Sequence, residues 1–384
     1  MSGQAEVTAR ERKIVHAYSG HRSSAHAAPD DVASLESRAA LRQLSLERLM
    51  AYGFHHADAV ELRGRVWAGE AWREVAAGLA EDCLQLPERE AAPVTRRTRI
   101  NRLLRASALL RMSQMMMLQN SQQRSAVFAR AGQLFEEAAA LAGDRSRLVL
   151  TTPNGPLTGW LYPSLVGETL GRVLVIGGVE GWAMDFAEMG LALAERGIEA
   201  LVLDGPGQGE SRMVHGHFLT ADWEIAYQAV FDTLERSVPA RPIGMIGNSM
   251  GGSFAMHLAA RDPRIKACCN NGGTSAPFMA RANPTFFLKM TAHIGDVSPD
   301  EAAAVWATVK PADAAVPVRC PLLVVHGGLD PLVSNEDARH LFSRAASSDK
   351  QMVVFSDGDH CIYNHADDKH ALIGDWMASR LAAG

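Results

Sequence analysis

The residues whose types and spacing point most directly to chemistry are Gly247-Asn248-Ser249-Met250-Gly251. They match the pattern G-x-S-x-G and stand between the apolar run IGMI and the helix-forming stretch GGSFAMHLAA. A sharp turn from strand to helix lifts a serine hydroxyl out of a sheet, and glycines at 247 and 251 let neighbouring backbone approach. The pattern predicts that Ser249 is a nucleophile. The alternative is a glycine-rich turn with an idle serine.

A serine hydroxyl is a weak nucleophile without a general base, and the order expected with such a turn is serine, acid, histidine. Asp330 follows the apolar run PLLVVHGG, and His360 follows the run QMVVF and a short loop. We predict that His360 takes the proton from Ser249 and that Asp330 orients His360 and stabilises its imidazolium. Weaker candidates for the acid or the base are Asp337, Asp357, Asp359 and His326.

An oxyanion formed by attack of Ser249 needs two backbone N–H donors. Met250, directly after the serine and at the start of a helix, is expected to supply one. The loop GGVEG at 177–181 is expected to supply the other, from Val179 first and Gly178 second. The alternative for these glycines is that they only make a tight turn.

Two parts of the chain, which differ in the spacing of their apolar residues, are expected to position these residues. Residues 147–384 alternate short apolar runs with helical stretches after a hairpin signal at Asn154-Gly155, which predicts an α/β fold with a mostly parallel, doubly wound sheet. Residues 1–146 show no convincing strand, and residues 1–28 are polar and mixed. Four helical stretches are expected there, over 30–54, 58–86 with a break near Gly69, 94–120 and 124–143.

Composition narrows the class of protein. The 384 residues are 47% hydrophobic with a net charge of -5, which suits a globular protein with a small-molecule substrate and gives no reason to expect nucleic acid. Five cysteines, two of them adjacent, suggest reduced thiols that fill the core. The N-terminal residues lack the apolar core of a signal peptide, and no run has the length of a membrane span. We therefore expect a cytoplasmic protein without membrane contact.

No cofactor or metal is expected. The glycines of LDGPGQGES lack the spacing of a dinucleotide-binding turn, so this stretch is interpreted as a structural loop. His55, His56, His215 and His217 are interpreted as surface residues rather than metal ligands.

Two features of the N-terminal part leave alternatives open. The basic cluster Arg96, Arg97, Arg99, Arg102 and Arg105 favours a solvated helix face, with a docking surface for a phosphate-bearing acyl carrier as the alternative. The run Met115-Met116-Met117 favours core, with a flexible pocket wall as the alternative. A homodimer formed through the N-terminal helices also stays open.

The motifs VIGGVEG, DGPGQGES, GNSMGG, HGGLDPLV and DGDH, in this order, resemble those of the α/β-hydrolase superfamily across residues 147–384. With the helical part at 1–146, the layout is similar to the branch that holds 2,6-dihydroxypseudooxynicotine hydrolase, the fungal polyketide-shortening hydrolases and the FrsA-like esterases. The resemblance implies the triad Ser249, Asp330 and His360. It also implies a short cap segment at about 272–312, an N-terminal domain that forms one side of the pocket, and a ketone or ester substrate.

One departure from that branch concerns the cap. The nicotine-pathway member uses an extra glutamate there, whereas the stretch at 268–295 of this chain contains no carboxylate. The expected pocket residues are instead Asn270, Arg281 and Phe278, with Asn271, Phe286 and Phe287 nearby.

The resemblance favours hydrolysis of a C–C bond next to a ketone, in a β-diketone or polyketide-like acyl compound of specialised or catabolic metabolism. The missing glutamate favours the alternative, a carboxylesterase or thioesterase. Carrier-linked acyl transfer or cyclisation and a non-catalytic hydrolase-like binding protein are two further alternatives.

Overall fold

The computed structural model describes residues 13–17, 34–85, 93–237 and 241–382. Its centre is one sheet of nine strands in the order β1-β9-β8-β7-β6-β4-β5-β3-β2. The strands are β1 Lys13–Ala17, β2 Ser146–Thr152, β3 Gly155–Tyr162, β4 Gly171–Ile176, β5 Ile198–Asp204, β6 Ile243–Asn248, β7 Ile265–Asn271, β8 Leu322–Gly327 and β9 Lys350–Phe355. In this spatial order, the seven strands from β1 across to β5 pair in parallel. The last two pairings, β5 with β3 and β3 with β2, are antiparallel.

Helices cover both faces of the sheet. In the described part of the chain they are α1 Leu35–Gln43, α2 Leu46–Ala51, α3 His56–Trp67, α4 Trp72–Gln85, α5 Arg96–Ser113, α6 Gln122–Ala142, α7 Ala187–Ala194, α8 Gly209–Met213, α9 Glu224–Ser237, α10 Met250–Arg261, α11 Pro284–Ala292, α12 Pro299–Trp306, α13 Asn335–Arg344 and α14 Ala366–Leu381. Successive strand residues alternate between the two faces. Leu174 and Ile176 of β4 therefore pack in the core beside α9, α10 and α13, while Val173 and Val175 pack in the core beside α6, α7 and α14. The predicted doubly wound, mostly parallel sheet is confirmed.

The helices α1 to α6 share a third hydrophobic core, which includes Leu41, Leu62, Trp72 and Leu109 and also takes in Cys361 and Tyr363. Met115 and Met116 belong to this core and are buried, so the interpretation of the methionine run as core is confirmed for these two. Gly69 has a φ of 104° between α3 and α4, which confirms the predicted break.

Two expectations for the N-terminal part were wrong. A strand does exist before residue 146, because Lys13–Ala17 pairs in parallel with β9 at the edge of the sheet. An edge strand of five residues relies on backbone pairing and leaves Ile14 exposed, so it is too short for an alternating apolar pattern to stand out. The single helix expected over 30–54 is divided into α1 and α2, because the Ser45 hydroxyl accepts the Arg48 N–H and begins a new helix. Residues 1–12 and 18–33 lie outside the described residues.

The hairpin at Asn154-Gly155 is confirmed, since β2 and β3 pair in antiparallel fashion around it and Gly155 has a φ of 124°. His217 lies against this hairpin with its ring Nδ1 3.3 Å from the Pro156 carbonyl oxygen. It is buried, so the interpretation of His217 as a surface residue was wrong.

The segment between β7 and β8 holds a short 3-10 helix, Pro277–Ala282, followed by α11 and α12. The five cysteines are all free thiols, and Cys320 is the one that is partly exposed.

Candidate active site

Ser249 occupies the turn between β6 and α10, at φ 55° and ψ -127°. This backbone conformation costs a non-glycine residue about 1–3 kcal/mol, so its neighbours must hold it in place. The Ser249 N–H donates to the Asn271 carbonyl at 2.8 Å. A Cβ on Gly247 would lie 2.0 Å from the Gly251 carbonyl oxygen, and one on Gly251 would lie 2.4 Å from that of Gly177. Both positions therefore require glycine, as the sequence predicted.

Ser249, His360 and Asp330 form a continuous chain of hydrogen bonds. The Ser249 Oγ lies 2.8 Å from His360 Nε2, and His360 Nδ1 lies 2.8 Å from Asp330 Oδ2. Asp330 Oδ1 accepts the backbone N–H groups of Leu332 and Val333 at 2.8 and 3.0 Å. Because the second oxygen is held by backbone, the Asp330 carboxylate has a fixed orientation toward the imidazole.

Burial and neighbouring groups shift the pKa values of His360 and Asp330 in opposite directions. Burial lowers the pKa of His360, but the adjacent Cys361 and the Asp330 carboxylate raise it, and the net pKa lies well above the ordinary imidazole value. Burial raises the pKa of Asp330, but the His360 charge and the hydrogen bonds lower it below its usual range. Asp330 is therefore held ionised, and it favours the imidazolium form of His360.

The two residues after His360 have strained backbone conformations, and a buried lysine contacts them. Cys361 and Ile362 both have a φ of 58°, which side chains rarely adopt. The buried Lys369 ammonium donates to the Cys361 carbonyl at 3.0 Å and lies 5.2 Å from the centre of the Tyr363 ring. Lys369 therefore positions the loop that carries the histidine.

The other acids proposed from the sequence are engaged elsewhere. Asp337 accepts a hydrogen bond from the Thr274 hydroxyl at 2.8 Å, and Asp357 lies 2.8 Å from the His365 ring. Asp359 accepts a backbone N–H four residues further on, at 2.6 Å. The remaining alternative base is His326, which is buried in β8. Asp330 is thus the acid that contacts His360.

The loop expected to supply an oxyanion donor lies against Ser249. A Cβ on Gly178 would lie 2.8 Å from the Ser249 Cβ, so this glycine lets backbone approach the serine. The Gly178 N–H donates to the Gly181 carbonyl at 3.2 Å, which leaves Val179 as the better donor. Val179 lines the same cavity as Ser249, and Met250 begins α10, where helical N–H groups have no intrahelical partner.

The stretch LDGPGQGES supports that loop from behind. The Gln208 side-chain amide donates to the carbonyls of Gly177 and Gly178 at 2.7 and 2.9 Å. Asp204 accepts the N–H groups of Ala183 and Glu210 at 2.7 and 2.8 Å, and burial raises the pKa of Asp204 to about 7. The interpretation of this stretch as a structural loop agrees with these contacts.

A cavity of about 490 Å³ opens beside Ser249 and His360, within the usual range for small-molecule sites. One wall comes from the N-terminal helices, through Arg42, Gln43, Ser45 and Arg48. The segment between β7 and β8 supplies Asn283, Thr285, Phe286 and Lys289, and the loops supply Val179, Glu180, Leu329, Pro331, Leu332, Asp359 and Tyr363.

The three pocket residues expected from the sequence, Asn270, Arg281 and Phe278, are not among the lining residues, so this prediction was wrong. Asn270 is buried in β7, where its side-chain oxygen accepts the Gly273 N–H at 2.7 Å. Arg281 forms an exposed ion pair with Asp300 at 2.6 Å, and Phe278 is exposed. Asn270 lies in β7 and the other two lie in the 3-10 helix, whereas the segment lines the cavity only from Asn283 onward.

Sequence reasoning missed Arg48, Glu180, Lys289 and Tyr363, all of which line the cavity. Lys289 did carry a signal, because it is the only charged residue in the apolar stretch 282–292. Glu180 stands next to the expected oxyanion donor. No sequence signal marked Arg48, because it is one of several arginines on helices about two hundred residues before Ser249.

Three arginines of the basic cluster on α5 contact neighbouring helices. Arg96 donates to a carbonyl at the end of α6, Arg99 pairs with Glu137, and Arg105 forms two hydrogen bonds with Asp58. Arg96, Arg97 and Arg99 are nevertheless exposed, as the interpretation of a solvated helix face expects, whereas Arg102 is buried and Arg105 is half-buried.

Among the described residues, no group of three or more His, Cys, Asp or Glu side chains could hold a metal ion. No helix in the described ranges combines the length and the apolar character needed to cross a membrane.

Comparison with known proteins places this geometry in a family. The 2,6-dihydropseudooxynicotine hydrolase of Paenarthrobacter nicotinovorans is 27% identical over 365 residues, which cover 89% of this chain and 93% of that protein. The crystal structure of the 2,6-dihydroxy-pseudo-oxynicotine hydrolase has a TM-score of 0.76 at 26% identity, covering 88% of this chain and 96% of that one. Hydrolase acrC of Aspergillus aculeatus is 30% identical over 141 residues, about a third of each chain.

The structure of AbyA5, at 20% identity and a TM-score of 0.64, shares the fold. A model of the Alpha/beta hydrolase family matches residues 173–371, from β4 into α14. This range is more than half of the chain and includes the elements that carry Ser249, Asp330 and His360. The chain therefore belongs to the alpha/beta hydrolase family, and the resemblance noted in its sequence is confirmed.

Proposed function

We propose that this chain is a serine hydrolase in which Ser249 attacks a carbonyl carbon, with His360 as general base and Asp330 as the residue that orients it. The observation that carries the proposal is the pair of 2.8 Å contacts from Ser249 Oγ to His360 Nε2 and from His360 Nδ1 to Asp330 Oδ2. These hydrogen bonds activate a serine because the imidazole accepts the hydroxyl proton as the new C–O bond forms.

The oxyanion of the tetrahedral intermediate is assigned to the N–H groups of Met250 and Val179. The start of α10 and the approach of the 177–181 loop to Ser249 support this assignment. Donors fixed before reaction stabilise the developing charge without reorganisation, and one such donor is typically worth about 3 to 4 kcal/mol.

The favoured reaction is hydrolysis of a C–C bond next to a ketone, in a β-diketone or polyketide-like acyl substrate. The intermediate collapses by breaking the C–C bond, and the carbanion leaves as an enolate that takes the proton held by His360. Water, deprotonated by His360, then attacks the acyl-enzyme and releases a carboxylic acid. Similarity to the pseudooxynicotine hydrolase over most of both chains supports this choice.

Ester or thioester hydrolysis is the second candidate, and a specific observation favours it. The segment between β7 and β8 supplies no carboxylate to the cavity. Glu180, which does line the cavity, is paired with Lys289 at 2.6 Å. An ester leaving group needs only a proton from His360, so it requires no extra group to stabilise an enolate.

The proposal extends to the rest of the chain. The helical part at 1–146 serves as a wall of the substrate pocket for a small molecule in the cytoplasm, without a metal or cofactor. Acyl transfer from a carrier protein has less support, because Arg96, Arg99 and Arg105 are engaged by neighbouring helices.

The test offers aryl 1,3-diketones and matched aryl esters to the protein and to its Ser249→Ala variant, with products identified by mass. We expect each diketone to give an acid and a ketone, and the variant to lose this activity. Cleavage of the esters but not of the diketones would favour ester hydrolysis over C–C hydrolysis. Turnover that persists in Ser249→Ala would refute the serine mechanism for either reaction.

A further inference from the structure

Arg48 brings a positive charge to the wall of the catalytic cavity. It lies on α2 and lines the cavity together with Ser249 and His360. Its guanidinium carbon is 5.2 Å from the centre of the Tyr52 ring and 5.3 Å from that of the Tyr363 ring. The two tyrosine hydroxyls are 2.7 Å apart. Aromatic rings therefore fix the position of the cation without neutralising its charge.

The hydrogen bonds of Arg48 leave part of its donor set unused. A guanidinium has five N–H groups. The Nε and Nη2 atoms each donate one to the Tyr52 hydroxyl, at 3.3 and 3.1 Å, and Nη1 donates one to the Gln43 carbonyl at 3.1 Å. One N–H remains on each terminal nitrogen. In the described part of the chain, no carboxylate forms an ion pair with Arg48.

Two other charged side chains of the cavity, Lys289 and Glu180, form an ion pair with each other. Lys289 Nζ lies 2.6 Å from Glu180 Oε1 and donates to the Gln43 side chain at 2.8 Å. Asp359 accepts the Tyr363 N–H at 2.6 Å, and burial raises the pKa of this carboxyl group. The Glu180 carboxylate is hydrogen-bonded to Lys289 rather than to Arg48, so the two unused N–H groups of Arg48 remain for a ligand.

We infer that Arg48 binds a carboxylate of the substrate, so that this hydrolase acts on acyl compounds that carry a free carboxylate away from the bond that is cleaved. The inference rests on the proposed attack by Ser249. Two N–H groups on adjacent terminal nitrogens match the two oxygens of a carboxylate, which is the favoured geometry for arginine. Because the side chain is held against two rings before binding, little conformational entropy is lost when the anion arrives.

The test uses two series of alkyl fluorophosphonates of increasing chain length, one ending in a methyl group and one in a carboxylate. The rate of Ser249 modification is measured for the wild type, Arg48→Gln, Arg48→Lys and Arg281→Gln. At the chain length that reaches Arg48, we expect the wild type to prefer the carboxylate by about ten- to hundredfold, the usual value of a hydrogen-bonded charge. Arg48→Gln should abolish the preference, and Arg281→Gln, an exposed arginine outside the cavity, should keep it.

Arg48→Lys keeps the charge but loses the paired N–H groups, so it should retain a reduced preference even if Arg48→Gln fails to fold. Equal rates for both series at every length, or a preference unchanged in the Arg48 variants, would overturn the inference while the serine mechanism stands. If neither series modifies Ser249 in the wild type, the proposed function fails and the inference fails with it.

Discussion

The buried ion pair between Arg111 and Asp185 joins the N-terminal helices to the segment that follows the loop at 177–181. Arg111 Nε lies 2.7 Å from Asp185 Oδ1, and both side chains are 3% exposed. Arg111 also donates to the Ser107 hydroxyl and to the Tyr52 carbonyl, each at 2.9 Å. The second Asp185 oxygen accepts the Trp182 N–H at 2.9 Å. Every strong contact of this arginine is therefore made inside the protein.

Replacement of Arg111 by methionine leaves a buried carboxylate without its counter-charge. Breaking a buried pair from one side typically costs about 3 to 5 kcal/mol. We therefore expect Arg111→Met to lower the free energy of unfolding by about that amount in urea titrations. The matched control is Arg73→Met, because Arg73 pairs with Glu36 at 2.7 Å at the surface and its loss should cost at most about 1 kcal/mol.

A double variant separates the charge from the packing. Arg111→Met combined with Asp185→Asn removes both charges and keeps a side-chain oxygen for the Trp182 N–H. It should be more stable than Arg111→Met alone, because no uncompensated charge remains buried. If Arg111→Met is no less stable than Arg73→Met, the pair does not stabilise this junction and the reasoning is wrong.

Three further predictions concern the site. The rate at which a fluorophosphonate modifies Ser249 should rise with pH, with a midpoint above about 6.5, because His360 must be neutral to accept the proton and its pKa is raised. Asp330→Asn should lower both the midpoint and the limiting rate, and a wild-type midpoint below 6.5 would contradict the assignment. Gly178→Ala should cut this rate about a hundredfold in the folded protein, because its Cβ would lie 2.8 Å from the Ser249 Cβ and displace the serine or the loop; an unchanged rate would count against close approach of the loop. Lys369→Met should lower the free energy of unfolding in urea by about 1–3 kcal/mol, because the carbonyl of the residue after His360 loses the closer of its two buried donors; wild-type stability would show that this contact is dispensable.

The meeting of Ser249, Asp330 and His360 could be predicted because the relevant signals are local. Each residue follows a short apolar run, and the carboxyl ends of parallel strands meet at one edge of a sheet. The glycines at 247 and 251 have an equally local cause, since their neighbours leave no space for a Cβ. Neither prediction required knowledge of how distant helices pack.

The cavity wall could not be predicted in the same way. Arg48 and Lys289 reach the site from helices that are far apart in the chain and meet only through tertiary packing. The residues chosen from the sequence, Arg281 and Phe278, lie in the right segment but before the helix that turns toward the cavity. Placing a pocket residue required the orientation of α11, which no local pattern specifies.

The edge strand was missed for a related reason. Lys13–Ala17 pairs along β9 through its backbone, and its Ile14 side chain is exposed. Backbone pairing leaves no signature in side-chain composition, so a segment of five residues in a mostly polar stretch is not distinguished from a loop.

The central claim is that Ser249 is a nucleophile activated by His360. Its most direct test is treatment of the wild type, Ser249→Ala and His360→Ala with one uncharged fluorophosphonate, with the modified peptide located by mass spectrometry. We predict one adduct, on Ser249, formed rapidly in the wild type, much more slowly in His360→Ala and not at all in Ser249→Ala. An adduct on another residue, or a wild-type rate in His360→Ala, would contradict the claim.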